Sequence, residues 1–406
     1  NAQVHYTLAA IYEAQQRWEE ALAGYRQAAL QAPDRALYQR ACGTALLRLG
    51  RVTEAVDALT QAVMLDPADA EAHAQLGVAF ETQGHYERAR FEYEQAAELQ
   101  PDEARYLLRL GVIWRKIGEQ ALVLQQAGIS THAPSAGTGD SPGRPCYAEG
   151  IAALRQALAL GERSPEAQAA LGALLALNGQ HTEAVAHLKS AIDAAPCEAS
   201  HHRALGMVYR LMGAYQDSIR KLGVAESLEP ESAETYYEMA LSHRQAGHVE
   251  QAVAALEHAA QLNPNEALYH YVLALTLREM DEEQRALVAL EKAVSLRSDV
   301  ALWQHTLGAM YAAQGRDHVA LEHYLRAAAL APEQPEYLHD GALACARVGE
   351  DQQATALLEQ AVQRCPDNPK WHAELGDAYL RQGQYPKARE AYQRAAALAP
   401  GDPAYL

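Results

Sequence analysis

The chain has 406 residues, of which 49% are hydrophobic and 21% charged, and its formal net charge is −18 at pH 7. This acidic balance disfavours general binding to nucleic acid or to an anionic membrane surface. The sequence contains no run of 18 apolar residues, so no membrane-spanning segment is predicted and a cytoplasmic location is expected.

A repeat of 34 residues runs through the chain from its first residues. Numbered from 1 within each repeat, position 27 is Ala in all eleven copies, position 20 is Ala in nine, and position 8 is always Gly or Ala. Position 32 is Pro in nine copies. The repeats begin at residues 2, 36, 70, 104, 165, 199, 233, 267, 301, 335 and 369. A regular internal period predicts one stacked array rather than several globular domains.

The fourth repeat is interrupted after its first helix, which the apolar pattern places around Leu110 and ends near Gly118. The pattern resumes at Tyr147, after 27 additional residues, 120–146, whose middle is rich in Gly, Ser and Pro. Such a segment is too poor in apolar residues to bury a core, so we predict a disordered loop, with residues 120–126 alternatively prolonging the helix.

We interpret this loop as a tolerated insertion at a hairpin tip. The alternative is a docking or modification loop. Its phosphorylatable residues would be Ser130, Thr131, Ser135, Thr138 and Ser141.

The last repeat shows the pattern most clearly, with two apolar helical segments separated by Gly383 and stopped by Pro400. Its marker residues are Leu375, Gly376, Tyr379, Ala388, Tyr392, Ala395 and Pro400. This spacing resembles the tetratricopeptide repeat, a helix–turn–helix hairpin. The resemblance extends over the chain and implies an all-α fold, a right-handed α-solenoid or superhelix of antiparallel helix hairpins.

Small residues are expected to let the two helices of a hairpin approach closely, with Gly376 facing Ala388 and Ala395. One hairpin cannot bury its apolar face alone, so neighbouring hairpins must stack on it. Residues 403–406 match the start of a further repeat, which we interpret as a truncated twelfth copy of a longer native protein. Uncapped terminal repeats would also allow self-association.

The family resemblance implies that the first helix of each hairpin lines a concave groove, mainly through positions 2, 5, 9, 12 and 13. Position 12 is arginine in three consecutive repeats, which predicts a cationic ladder at a spacing of about 8–10 Å. The predicted peptide-binding residues are Arg203, Met207, Arg210, Tyr237, Leu241, Arg244, Gln245, Tyr271, Leu275, Arg278, His305 and His339. Such a surface suits a peptide with acidic groups, because arginine pairs bidentately with carboxylates.

An alternative interpretation of the arginines is structural. Each could pair with a carboxylate of a neighbouring repeat, such as Glu234 or Glu238, and serve only solubility. Two better-known binding signatures of the family are absent. Position 9 is never Asn, which excludes the clamp of certain co-chaperones, and position 6 is never Asn, which excludes the Asn ladder of a sugar transferase.

No catalytic or metal-binding motif is apparent. The five cysteines (Cys42, Cys146, Cys197, Cys345 and Cys365) are odd in number and include no C-x-x-C pair. None of the 17 histidines lies three or four residues from another, and no phosphate loop or nucleophile elbow is present. We therefore predict no cofactor, no metal and no enzymatic activity.

Two functional hypotheses remain. The first is a non-enzymatic scaffold that binds a protein or peptide segment in the groove. The second is the sensor or autoinhibitory region of a larger signalling enzyme, such as a switch ATPase, a kinase or a transferase, whose catalytic domain lies outside this sequence.

Overall fold

The computed structural model describes residues 1–126, 147–400 and 402. Within these residues the structure has 22 α-helices and no β-strand. Within each unit, most consecutive helices pack in pairs, and most pairs pack on the next. The chain divides between Pro230 and Glu231 into two compact units. The predicted fold class, an all-α solenoid of antiparallel helix hairpins, is confirmed.

The first unit contains twelve helices. They are α1 (Ala2–Ala14), α2 (Trp18–Gln31), α3 (Ala36–Arg48), α4 (Val52–Leu65), α5 (Ala70–Thr82), α6 (Tyr86–Leu99), α7 (Ala104–Gln126), α8 (Ala148–Ala159), α9 (Pro165–Leu177), α10 (His181–Ala194), α11 (Ala199–Leu211) and α12 (Tyr215–Leu228).

The second unit contains ten helices. They are α13 (Ala233–Gln245), α14 (Val249–Leu262), α15 (Ala267–Arg278), α16 (Glu283–Leu296), α17 (Ala301–Ala313), α18 (Asp317–Leu330), α19 (Pro335–Val348), α20 (Asp351–Arg364), α21 (Pro369–Arg381) and α22 (Tyr385–Leu398). In both units every odd-numbered helix, here called an A helix, begins at a residue that the 34-residue period marks as a repeat start. Even-numbered helices are called B helices.

The turn between A and B helices depends on position 15, which has positive φ in most hairpins. Eight of these residues are glycines, such as Gly50 (φ 72°), because glycine adopts the left-handed region without steric penalty. Gln16 and Asp281 adopt it as non-glycine residues, with φ of 60° and 58°.

The fourth hairpin departs from this turn, because Gly118 at position 15 lies inside α7. A Cβ at Gly118 would lie 2.6 Å from Leu177 Cδ1 and 2.7 Å from Tyr147 Cε1, so its glycine serves close packing instead of a turn. The helix continues to Gln126, so the alternative in which residues 120–126 prolong the helix is confirmed, and the predicted loop does not begin at residue 120. Residues 127–146, including the five phosphorylatable positions, and residues 403–406 lie outside the described part of the chain.

Small residues allow the hairpins to close. All eleven alanines at position 27 are completely buried, for example Ala259 and Ala395. At Gly376 the nearest neighbour is the ring of Tyr392, which a Cβ there would approach to 2.9 Å; the predicted facing of Ala388 and Ala395 stays a prediction. Position 24 of the B helix carries a large Leu or Tyr that lies directly against the small residue at position 8.

Several histidines stabilise the junction between hairpins through position 4 of the A helix. The Nε2 atom donates a hydrogen bond to the carbonyl of the residue six positions earlier, at the end of the preceding hairpin. The pairs are His73–Pro67 (3.2 Å), His202–Pro196 (2.9 Å), His270–Pro264 (3.1 Å) and His372–Pro366 (2.9 Å). Gln304 makes the same contact with Ser298 at 2.9 Å. These polar side chains therefore satisfy backbone carbonyls at the turns.

None of the helices in the described ranges is both long enough and apolar enough to span a membrane.

Candidate functional site

The predicted peptide-binding residues lie on five A helices, α11, α13, α15, α17 and α19. Arg203, Met207 and Arg210 belong to the first unit, and the other nine belong to the second. Six are buried: Met207, Arg210, Tyr237, Leu241, Tyr271 and His339. Four are half-buried: Arg203, Arg244, Leu275 and His305. Gln245 and Arg278 are exposed.

The three consecutive arginines at position 12, Arg210, Arg244 and Arg278, occupy three different environments. Arg210 is only 3% exposed, so its guanidinium does not form part of an open surface. Arg244 donates from Nε to Glu279 Oε1 at 2.8 Å, and its terminal nitrogen contacts the same oxygen. Glu279 directly follows the next A helix, α15, so this pairing is of the structural kind, although the partner is neither Glu234 nor Glu238.

Arg278 is the position-12 arginine with an available guanidinium. It is exposed on α15 and forms no ion pair with any residue that the structure describes. Of the three consecutive arginines, Arg278 is therefore the one whose guanidinium is open to a ligand.

Aromatic residues and histidines at position 5 lie against aromatic residues at position 3 of the next A helix, two of the five pairs stacked and three tilted. The pairs are Tyr6–Tyr38 (5.3 Å between ring centroids), Tyr237–Tyr269 (5.1 Å), Tyr271–Trp303 (4.8 Å), His305–Tyr337 (4.8 Å) and His339–Trp371 (5.1 Å). Such pairs contribute about 0.5–1.5 kcal/mol beyond the area they bury. These side chains hold consecutive A helices together, which explains why Tyr237 and Tyr271 are only 4% exposed.

A signal for this stacking was present in the sequence. The two rings of each pair are 32 residues apart, two fewer than the repeat period. Position 3 therefore carries an aromatic residue in the repeat that follows an aromatic or His at position 5. Sequence reasoning considered position 5 alone and interpreted it as groove lining.

A network of histidines and carboxylates joins α17, α19 and α21. His305 Nε2 lies 2.8 Å from Asp340 Oδ2, and His339 Nδ1 lies 2.9 Å from Asp340 Oδ1. The second nitrogen of His339 lies 2.6 Å from Glu374 Oε2. The two histidines share a repeat position, but the sequence did not predict the carboxylates that the neighbouring helices bring to them.

Hydrogen bonds within this network favour the charged forms of His339 and Asp340. Burial by itself would lower the pKa of His339, but the hydrogen bonds to Asp340 and Glu374 outweigh it and raise the pKa to about 9. The pKa of Asp340 is held well below its ordinary range, because the two histidines outweigh the effect of burial. His339 is therefore protonated at neutral pH and donates both N–H groups. In the part of the chain that the structure describes, no group of three or more His, Cys, Asp or Glu residues is arranged to hold a metal ion.

The open part of the A-helix surface in the second unit lies at positions 9, 12 and 13, towards the C-terminal ends of the helices. Gln245, Arg278 and Ala309 are exposed there, and Leu275 and Leu343 are half-buried. We call these five residues the A-helix rim. The rim combines aliphatic side chains with one available guanidinium and small side chains that leave room above the surface.

Family comparisons agree with this architecture. Three family models described as "Tetratricopeptide repeat" match the chain: one at residues 6–73, 40–104, 75–122 and 147–199, a second at 233–266 and a third at 349–406. The chain belongs to the tetratricopeptide repeat family. No curated protein sequence matches it significantly.

Solved tetratricopeptide repeat structures share the fold. The human IFIT1 dimer with m7Gppp-AAAA is 18% identical with a TM-score of 0.54, and the match covers 99% of this chain and 91% of that one. A tetratricopeptide repeat protein from Parabacteroides merdae is 14% identical with a TM-score of 0.50, covering 68% of this chain and 98% of that one. At these identities the likeness concerns the fold alone.

Proposed function

We propose that this tetratricopeptide repeat chain is a non-catalytic scaffold that binds a segment of another protein on the A-helix rim. The observation that supports this most is the exposed Arg278 guanidinium beside the half-buried Leu275 on α15. Arginine next to apolar surface is a common composition of binding hot spots. Ala309 on the following A helix adds no bulk that would exclude a guest chain.

The preferred partner segment carries a carboxylate next to an apolar side chain. The carboxylate pairs bidentately with Arg278, and the apolar group packs on Leu275. Arg244 contributes less, because a ligand carboxylate must compete with Glu279 for its guanidinium. The chain's net charge of −18 opposes an acidic ligand only weakly, since repulsion from exposed charges more than about 8 Å away is largely screened at physiological salt.

The test is an array of short peptides with and without Asp and Glu, followed by fluorescence anisotropy on those that bind. Arg278→Glu is expected to weaken acidic peptides about tenfold or more, equivalent to about 1.4 kcal/mol. The matched control is Arg326→Glu, the same change at an exposed arginine on the B helix α18, which should leave binding unchanged.

A second arm of the test uses capped RNA, because the similar human IFIT1 was solved with m7Gppp-AAAA. We expect no specific RNA binding. Binding of RNA in place of acidic peptides would overturn the proposal, and so would acidic-peptide binding that Arg278→Glu does not weaken.

A further inference from the structure

In three repeats a side chain at position 23 of the B helix forms a hydrogen bond with the side chain at position 4 of the A helix. The paired atoms are His73 Nδ1 and Glu92 Oε2 (2.7 Å), Gln168 Oε1 and His187 Nδ1 (2.7 Å), and Gln304 Oε1 and His323 Nδ1 (2.8 Å). The polar group at position 4 is therefore satisfied from within its own hairpin.

The eleventh repeat leaves this contact incomplete. His372, at position 4 of α21, is only 8% exposed. Its Nε2–H donates to the carbonyl oxygen of Pro366 at 2.9 Å, and its Nδ1 atom forms no hydrogen bond with any residue that the structure describes. Position 23 is Ala391, which has no polar group to offer. Because buried polar atoms normally have a partner, Nδ1 of His372 indicates a place for a ligand atom.

A groove lies where the longer side chain at position 23 is missing. It has a volume of about 580 Å³, lies between α20, α21 and α22, and includes His372 and Ala391 in its lining. Val362, Leu375 and Tyr379 add apolar surface to it. Its volume falls within the range of small-molecule sites, about 300–1,000 Å³.

The groove is formed by two consecutive hairpins, because α20 belongs to the tenth repeat and α21 and α22 to the eleventh. Positions 24 and 28 of a B helix share a hydrophobic cluster with the next A helix, as Tyr25 and Ala29 do with Tyr38. In α22 these positions are Tyr392 and Ala396, and neither of them lines the groove. The groove therefore follows from the small residue at position 23 and from the packing of the tenth hairpin on the eleventh.

The charged side chains of the groove favour an anion. Lys387 and Arg394 line it from α22, and both are exposed. Neither forms an ion pair within the described ranges. The Nζ atom of Lys387 lies 5.2 Å from the centroid of the Tyr379 ring, above the apolar part of the groove. Glu390 contributes one carboxylate to the lining, so the two cations outnumber it.

The third repeat shows which group suits a histidine at position 4. His73 makes the same Nε2 contact with Pro67 that His372 makes with Pro366. The hydrogen bond from His73 Nδ1 to the carboxylate of Glu92 outweighs burial and raises the pKa of His73. A carboxylate brought to His372 Nδ1 would complete the same arrangement in the eleventh repeat.

We propose that the groove between α20, α21 and α22 binds a small carboxylic acid anion that carries an aliphatic chain. The carboxylate accepts a hydrogen bond from protonated His372 and pairs with Lys387 or Arg394. The aliphatic chain packs on Val362 and Leu375. The inference concerns residues other than the A-helix rim and is independent of the proposed function.

The first experiment is isothermal titration calorimetry of the native chain with octanoate as the probe. Octanamide has the same aliphatic chain without the charge and should bind about tenfold more weakly or less, because it brings no carboxylate to His372. A short peptide that contains glutamate is the third ligand and tests whether the carboxylate comes from a protein instead. Nuclear magnetic resonance locates the site, since octanoate should shift the ring resonances of His372.

The second experiment repeats the octanoate titration with His372→Gln. This variant should keep the hydrogen bond to Pro366, because Gln304 makes the equivalent bond to Ser298 at 2.9 Å. It presents a carbonyl oxygen to the groove in place of a nitrogen donor, so octanoate should bind about tenfold more weakly or less.

The third experiment uses Ala391→Glu, which gives the eleventh repeat the carboxylate that the third repeat has in Glu92. This carboxylate should occupy the place of the ligand, so octanoate binding should be lost. The matched control is Ala254→Glu, the same change at an exposed alanine on α14, which should bind octanoate like the native chain. Circular dichroism of each variant confirms that its helices are intact, and if Ala391→Glu does not fold, His372→Gln decides the question.

Octanoate binding that His372→Gln does not weaken would overturn the proposal. Equal binding of octanamide and octanoate would do the same. A native chain that binds only the glutamate peptide, or none of the three ligands, would also overturn it.

Discussion

At the scale of single residues, side-chain volume determines which residues occupy the contact positions of the repeat. Position 27 is alanine in every copy, and every one of these alanines is completely buried. Position 8 is Gly or Ala because a Leu or Tyr from position 24 fills the space beside it, as Tyr392 does beside Gly376. The sequence pattern predicted that these residues must be small. It did not identify the side chain that each of them contacts, because that depends on how the two helices are rotated.

Enlarging one of the buried alanines should destabilise the hairpin. Ala259→Leu in α14 is expected to lower the free energy of unfolding by about 1–3 kcal/mol, because the added methyl groups overpack a closed contact. The matched control is Ala254→Leu, an exposed alanine on the same helix, which should change stability little. Urea unfolding of both variants measures the difference. Equal stability of the two variants would show that position 27 is not closely packed.

The charged network around His339 should make stability depend on pH. The pKa of His339 in the folded chain is raised from its ordinary 6.5 to about 9, so its contribution is complete below pH 6.5 and is lost as the pH rises through about 9. Glu374→Gln removes one of the two carboxylates that contact His339, so the variant should lose less stability as the pH rises from 6.5 to about 9. Thermal unfolding of the native chain and the variant across this pH range measures the change in melting temperature. Equal changes in melting temperature for the two chains would contradict the prediction.

At the scale of helices, many side chains that were predicted to line a groove instead connect one A helix to the next. Ring pairs between positions 5 and 3, the Arg244–Glu279 ion pair and the His339 network all connect one A helix to the next. Three of the predicted binding residues, Tyr237, Tyr271 and His339, are buried in these contacts. The sequence could not separate side chains that face a neighbouring helix from side chains that face outwards on the same helix.

The Tyr271–Trp303 pair tests this role. Trp303→Ala should lower the free energy of unfolding by about 3–5 kcal/mol, since the side chain is only 1% exposed. Trp303→Phe keeps a ring against Tyr271 and should lower the free energy of unfolding by less than Trp303→Ala does. A double-mutant cycle with Tyr271→Ala should give a coupling of about 0.5–1.5 kcal/mol between the two rings. A coupling near zero would mean that the rings touch without stabilising the junction.

At the scale of the whole molecule, the chain is an acidic array of tetratricopeptide hairpins in two compact units. In such arrays each hairpin contacts mainly its neighbours, so stability is close to a sum of hairpin and junction contributions. Family and fold indicate an interaction scaffold, and we propose that a few exposed side chains such as Arg278 select the partner.

The 34-residue period by itself determined the helical hairpins, their starting residues and the small residues at their contacts, because helix periodicity and side-chain volume are local properties. Only the tertiary structure decided that α7 continues through Gly118, that Arg210 is buried while Arg278 is exposed, and that Asp340 and Glu374 surround His339. Those outcomes depend on which side chains of neighbouring helices meet, and residues such as His305 and Asp340, or His339 and Glu374, are 35 positions apart in the chain.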